Sequence, residues 1–293
     1  IALGQKILIR EGSAARNFNE LWPLLAEHPL SCMFCSDDKH PDDLMAGHID
    51  RLVARAVALG IPLFAALRAA CLNPALHYGL RCGLLRPGDA ADFVRLQDVR
   101  GFAVLETWID GTCVARDSSS LLPKSRSRRA NRFFEQEITP SDFQVSAGIG
   151  DIRIIEAWDG QIITGAGQAE PLIKNGFAVA DPSRDILKIA VINRYRAAPP
   201  AIAFVRGIGL KTGAIASSVA NDSHNIVAVG TTDEALTRAV NMIIRKAGGI
   251  AVAGRNASGR ILPLPVAGLM SDGYAEDVAE GYADLTREAR ELG

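Results

Sequence analysis

The sequence predicts a chain in three parts: a parallel α/β segment, a small β appendage and an α+β domain. Three observations carry this. Apolar runs alternate with helical periodicity over residues 6–90. An Asp110-Gly111 pair follows a strand-like stretch, which is a hairpin signal. Beyond about residue 141, several strand-like runs are interspersed with only two strongly periodic helices.

In the first part, Ile7-Leu8-Ile9 and Ser31-Cys32-Met33-Phe34-Cys35 are continuously apolar rather than alternating. Burial on both faces produces that pattern, as in a parallel barrel or a doubly wound sheet. Two strands close neither architecture, and the sequence opens at Ile1 in mid-pattern, so further strands are expected upstream. Arg16 to Glu27 has helical spacing. Gly47 to Gly60 does too, with Ile49, Leu52, Val53, Ala56, Val57 and Leu59 near a 3.6 period. A further helix is expected from Ala65 to Leu72, broken by Asn73-Pro74.

The chain then turns around Gly83, Pro87, Gly88 and Asp89, and short strands are expected over Asp92 to Leu96 and Ala103 to Ile109. Residues 117–132 are polar and basic, with Ser118-Ser119-Ser120 and Lys124-Ser125-Arg126-Ser127-Arg128-Arg129. No aromatic residues interleave with this run, so it is read as a solvated linker rather than a nucleic-acid patch. In the last part, strands are expected over Ile152 to Trp158, Gln161 to Thr164, Ile186 to Ile192, Ala201 to Val205 and Ile226 to Val229. Thr231-Thr232-Asp233-Glu234 has the form of a capping box, opening a helix that buries Leu236, Val240 and Ile243 and stops at Gly248-Gly249. A final helix from about Tyr274 places Val278, Tyr282, Leu285, Ala289 and Leu292 on one stripe.

Composition narrows the function. With 293 residues and 48% hydrophobic side chains, the chain can build sizeable cores. Thirty-two Lys plus Arg against 33 Asp plus Glu leave a net charge of −1, so nothing global recruits nucleic acid or an anionic membrane. No apolar stretch approaches the roughly 20 residues that span a bilayer. A soluble, cytoplasmic protein is expected, working on a small molecule or with another subunit; formation of a homo-oligomer is left open. Five Cys at irregular spacing argue for reduced thiols rather than a disulfide framework.

The densest polar cluster is Ser36-Asp37-Asp38-Lys39-His40-Pro41-Asp42-Asp43, where the second apolar strand ends. In a parallel barrel that is the face on which active sites sit. Asp37, the acid nearest the strand, is the strongest candidate for a metal ligand or proton-transfer carboxylate, with a loop cap as the competing account. Asp42 and Asp43 are explained by the first turn of a helix opened at Pro41. His40 is a candidate to ligate metal or bond substrate. Arg10-Glu11-Gly12-Ser13 leaves the first strand in the same way; Arg10 and Glu11 either orient substrate or pair with neighbouring charges. Cys32 and Cys35 lie three apart on a strand and point to opposite faces, so they read as packing.

In the last part, Gly207-Ile208-Gly209-Leu210-Lys211-Thr212-Gly213 fits neither nucleotide-loop pattern and reads as glycine-permitted turns. Asn221-Asp222-Ser223-His224-Asn225 precedes an apolar strand; Asp222 and His224 either line a cleft or belong to a turn satisfied by its own side chains.

Several of these segments carry a resemblance. Lys6 to Ala15, Phe34-Cys35-Ser36-Asp37-Asp38-Lys39-His40-Pro41 and Ala70-Cys71-Leu72-Asn73-Pro74-Ala75 resemble late barrel segments of the bacterial adenine deaminase family. Gly83 to Asp92 is similar to the return into the small β domain of the amidohydrolase superfamily. Val219 to Asn225 and Leu262 to Asp272 are similar to the C-terminal domain particular to adenine deaminases; that family usually has His where this chain has Asn221.

The resemblance implies the end of a metal-dependent (β/α)8 barrel over residues 1–82, a small β domain over 83–120, a linker over 121–140 and an α+β C-terminal domain over 141–293. It implies a divalent ion, Mn2+ or Fe2+, with Asp37 as the ligand after the last strand and as proton shuttle. Arg10, Glu11, Asp38, His40, Asp222 and His224 are the implied substrate contacts. The implied activity is hydrolytic deamination of adenine to hypoxanthine and ammonia in purine salvage or catabolism. Because the other metal ligands are expected upstream of Ile1, the chain by itself is expected to be inactive. The alternative is a non-catalytic module, derived from an amidohydrolase, that binds a ligand or a partner subunit.

Overall fold

The computed structural model describes residues 1–13, 15–123, 128–134, 136–161, 163–221, 223–255 and 258–293. The chain divides into two units, Ile1–Ser125 and Arg126–Gly293.

The first unit opens with β1 (Ile7–Arg10), two helical turns α1 (Phe18–Leu21) and α2 (Leu24–Glu27), and β2 (Cys32–Cys35). The strands pair in parallel, Ile7 with Cys32 through Arg10 with Cys35. The expected single helix over Arg16 to Glu27 is two turns divided at Trp22-Pro23. Pro23 has no N–H to donate, and its ring excludes the carbonyl one turn back, so the ladder is interrupted there. Next come α3 (Pro41–Ala46), α4 (Ile49–Ala58), α5 (Leu63–Leu67), a π-helical turn over Arg68–Leu72, and α6 (Asn73–Tyr78).

Asn73-Pro74 therefore does not break the helix, contrary to expectation. The widened π turn just before it accommodates the proline, and α6 runs on to Gly79, whose φ of +61 ends it. Asn73 is buried and donates to the carbonyls of Pro29 (2.7 Å) and Cys32 (2.8 Å), tying the helix to β2. The core beneath joins Ile9, Phe18, Leu25, Phe34, Leu52, Val53 and Ala56.

The appendage is a four-stranded antiparallel sheet of β3 (Phe93–Leu96), β4 (Val104–Ile109), β5 (Thr112–Arg116) and β6 (Ser119–Ser120), in that order. Asp110 and Gly111 take φ of +48 and +73, the left-handed pair that a tight hairpin requires. Serines read as the start of a linker instead extend this sheet as β6. Glu106 accepts from Arg95, Arg116 and the Trp108 indole, and these bonds hold its carboxyl down at about 2.

The second unit contains β7 (Val145–Ser146), β8 (Ile152–Glu156), β9 (Gly165–Ala169), β10 (Leu172–Lys174), β11 (Phe177–Val179), β12 (Leu187–Ile192), β13 (Ala201–Arg206), β14 (Ala214–Ser217) and β15 (Ile226–Gly230). It ends with α7 (Asp233–Arg245), β16 (Gly249–Ala253), β17 (Gly259–Pro263) and α8 (Ala275–Glu291). Eight strands form one sheet in the order β17-β16-β14-β15-β12-β13-β8-β9, antiparallel except where β13 meets β8. Among the described residues no strand lies over Gln161 to Thr164, where one was expected; β9 starts beyond that stretch at Gly165, and Ile162 lies outside the described residues.

Small residues make one face of this sheet shallow. Ala190, Ala214, Ala216, Ala228, Ala251 and Ala253 let α7 seat Leu236, Val240 and Ile243 directly on it. The other face carries Leu187, Val205, Val229, Val252 and Leu262, and receives Leu285 and Leu292 around α8. Thr232 alone caps α7, its hydroxyl accepting from Ala235 N (3.1 Å), while Thr231 is buried and bonds Gly213 O. Asp233 instead meets Lys188, which is 1% exposed; the Lys188 ammonium donates to both Asp233 oxygens (2.7 and 3.0 Å) and to Phe143 O (2.8 Å).

Candidate active site

Because β1 and β2 are parallel and in register, the residues that follow them leave the sheet side by side. Arg10 is the last residue of β1, and its Nη1 donates to Asp37 Oδ2 at 2.8 Å. The other Asp37 oxygen accepts from Asp38 N (2.8 Å), and the side chain stays 26% exposed. Asp37 has φ of +51, a conformation Asp tolerates better than most L residues. The backbone leaves β2 on a left-handed turn, with a fixed carboxylate at its tip.

The neighbouring candidates divide. Asp38 and His40 stay with Asp37 through their backbones: Asp38 O accepts from Ser13 N (3.0 Å), and His40 N donates to Ser13 Oγ (2.8 Å). Glu11 turns to α4 instead, where Arg55 Nη1 reaches it at 3.2 Å while the guanidinium lies 4.2 Å from the Phe18 ring centre. Glu11 is thus paired within the scaffold, and Arg10 is paired to Asp37.

Two side chains at this end of the strands escaped the reading of the sequence. Ser13 Oγ donates to Asp43 Oδ2 at 2.6 Å. His48 Nε2 lies 3.0 Å from Ser36 Oγ. Partial burial of the His48 ring, and secondarily the Lys39 charge, move its imidazole below its usual range, with Asp50 pulling weakly the other way. Ser13 carried a signal, since it stands in the same post-strand tetrapeptide as Arg10. Nothing in the spacing marked His48.

As a ligand set, this end of the sheet supplies one oriented carboxylate. Asp37 fits a single metal-ligand position, and among the described residues no three His, Cys, Asp or Glu come together as a cation site.

The second unit holds the other candidates. Asp222 lies outside the described residues. His224 has φ of +48, and its carbonyl accepts from Arg194 Nε. Arg194 is 3% exposed, with Nη2 donating to the Tyr195 hydroxyl (3.0 Å) and its guanidinium against the Tyr195 and Phe133 rings at 4.6 and 5.5 Å. The His224 Nδ1 atom is buried without a hydrogen-bond partner among the described residues. The loop from Gly207 to Gly213 is filled from within: Gly207 N and Gly209 N both donate to the Asp185 carboxylate at 2.8 Å, where an anionic ligand would otherwise sit. Of the basic run, Lys124 to Ser127 lie outside the described residues, and Arg129 pairs with Asp272 at 2.7 Å.

Comparison with known proteins follows the same division. Residues 6–114, which include Asp37, match the amidohydrolase family, and residues 161–293, which include His224, match the adenine deaminase C-terminal domain. Over these two segments the chain is similar to the adenine deaminases and, more broadly, to the amidohydrolases. Proteins named adenine deaminase are similar across nearly its whole length. That of Salinibacter ruber is 52% identical over 99% of this chain and 53% of its own length. That of Methanosarcina barkeri is 47% identical over 100% of this chain and 55% of its own, and that of Borreliella burgdorferi 43% over 97% and 53%. The chain therefore spans about half the length of these adenine deaminase relatives. Among the described residues no helix is long and apolar enough to cross a membrane.

Proposed function

We propose that this chain forms part of a cytoplasmic adenine deaminase, which hydrolyses adenine to hypoxanthine and ammonia in purine salvage or catabolism. The observation that carries the reading is Asp37: a carboxylate fixed at the C-terminal end of a parallel strand, inside the segment that matches the amidohydrolases. In this reading residues 1–82 are the last βα units of a barrel, 83–120 a small β domain, 121–140 a linker and 141–293 the domain peculiar to the family.

Asp37 would be one ligand of a divalent ion, Mn2+ or Fe2+, the remaining ligands coming from outside the described residues. When bound, such an ion supplies a water molecule acidified enough to be a nucleophile at neutral pH. The chain's own part is positional and protonic. Asp37 accepts a proton at a carboxylate oxygen and returns it to the departing amino group. Arg10 keeps that carboxylate turned to the end of the strands. Asp38 and His40, on the same turn, are the purine contacts of this reading.

The test is adenine deamination by the metal-loaded protein in its natural full length, followed as hypoxanthine and ammonia release, with Asp37→Asn as the control. Release that the substitution abolishes supports the reading. No release from the intact, metal-loaded protein overturns it.

A further inference from the structure

The turn that bears Asp37 is gripped from one point on the neighbouring loop. Three attachments on the C-terminal side of Asp37 converge on Ser13: its N–H donates to Asp38 O (3.0 Å), its hydroxyl accepts from His40 N (2.8 Å), and the same hydroxyl donates to Asp43 Oδ2 (2.6 Å). The residue before Ser13 lets the two loops touch. A Cβ on Gly12 would lie 3.1 Å from Asp38 O and 3.2 Å from both Ser36 O and Ala15 O, so only glycine sits there without displacing backbone.

Asp37 needs such a grip. A non-glycine residue at φ of +51 persists only where its surroundings over-determine it, and its own bonds to Asp38 N and Arg10 fix the carboxylate but not the turn. A hydroxyl is suited to the work because it donates to the Asp43 carboxylate while accepting from the His40 amide. Alanine loses both bonds, and threonine keeps them.

We propose that Ser13 is a positioning residue for Asp37, its hydroxyl latching the turn over residues 37–40 to the first helical turn at Asp43. The proposal rests on the reading of Asp37 as the reacting carboxylate, so the experiment has two independent arms.

In the first arm, adenine turnover and bound manganese are measured for Ser13→Ala and Ser13→Thr in the full-length protein. Ser13→Ala is expected to lower kcat roughly 10- to 100-fold, the loss that partners of ligating side chains show. Its KM and melting temperature should stay near those of the parent, and Ser13→Thr should recover most of kcat. A Ser13→Ala protein with parental kcat, where Asp37→Asn is dead, overturns the latch and leaves the function standing. Equal losses in both variants together with a lower melting temperature also overturn it, since they mark a general packing role.

The second arm needs no turnover: amide hydrogen exchange is followed in Ser13→Ala. Exchange at Asp38 and His40 should quicken about tenfold or more while α4 is unchanged. Unchanged exchange at those two amides overturns the proposal whatever the substrate proves to be.

Discussion

A methyl group on Gly268 would lie 2.2 Å from Arg194 Nη1, on a backbone whose φ is +70. Arg194 cannot swing aside cheaply, because it is buried and bonded to the carbonyl of His224 and the hydroxyl of Tyr195. Gly268→Ala is therefore expected to destabilise the second unit by about 2 kcal/mol or more, read from urea unfolding. A change within about 0.5 kcal/mol, the range of neutral surface substitutions, would mean the guanidinium is not held there. A second prediction at this scale concerns acid. The Glu106 carboxyl is held down at about 2 from 4.5, so the stability it lends the appendage is complete above 4.5 and is lost as pH falls through about 2. Trp108 donates to Glu106 and reports on it. In a Trp22→Phe, Trp158→Phe background, an acid titration of its fluorescence should have its midpoint near the lower value, and a midpoint at 4.5 would refute the arrangement. Of the site, the sequence showed what a strand end shows, Arg10 and Asp37, because position after an apolar run fixes where a side chain emerges. It could not show that Glu11 would leave for Arg55, since that partner lies a helix away.

Helices were legible where one face is buried and the other is wet, as in α4 and α8, because a 3.6-residue stripe survives any detail of packing. Strands β9, β14 and β16 left no such trace. They are rich in Gly and Ala: β9 has no β-branched or aromatic residue, and in β14 and β16 the few Ile and Val alternate with the small residues that let α7 approach, which dilutes the signal of a strand. Pro74 misled in the other direction, since its usual effect on a helix is absorbed by a local π turn that has no sequence pattern of its own. The start of α7 was placed correctly but its device was not: Asp233 is engaged by Lys188, and Thr232 is the cap. Thr232→Ala should cost about 1 kcal/mol in the urea unfolding of the second unit. A loss near zero would show that the Lys188 contact alone fixes the helix start.

The two units differ in how much of their surface they can hide. The second has three apolar clusters of its own and two helices seated on an eight-stranded sheet. Expressed as residues 128–293, it is expected to unfold in one cooperative transition with near-ultraviolet circular dichroism, and a broad, non-cooperative change would show that its core is incomplete. In the first unit, β1 and β2 have only each other, so each keeps an open edge among the described residues. The strand order of the large sheet also sets a sequence in time. Its local pairs, β8 with β9, β14 with β15 and β16 with β17, can form as each leaves the ribosome. β8 can join the rest only through β13, its one parallel neighbour, which is made after β12. The first hairpin synthesised in this sheet must therefore wait, one edge bare, until the strand that receives it exists, and that interval is when the nascent chain most needs a chaperone's protection.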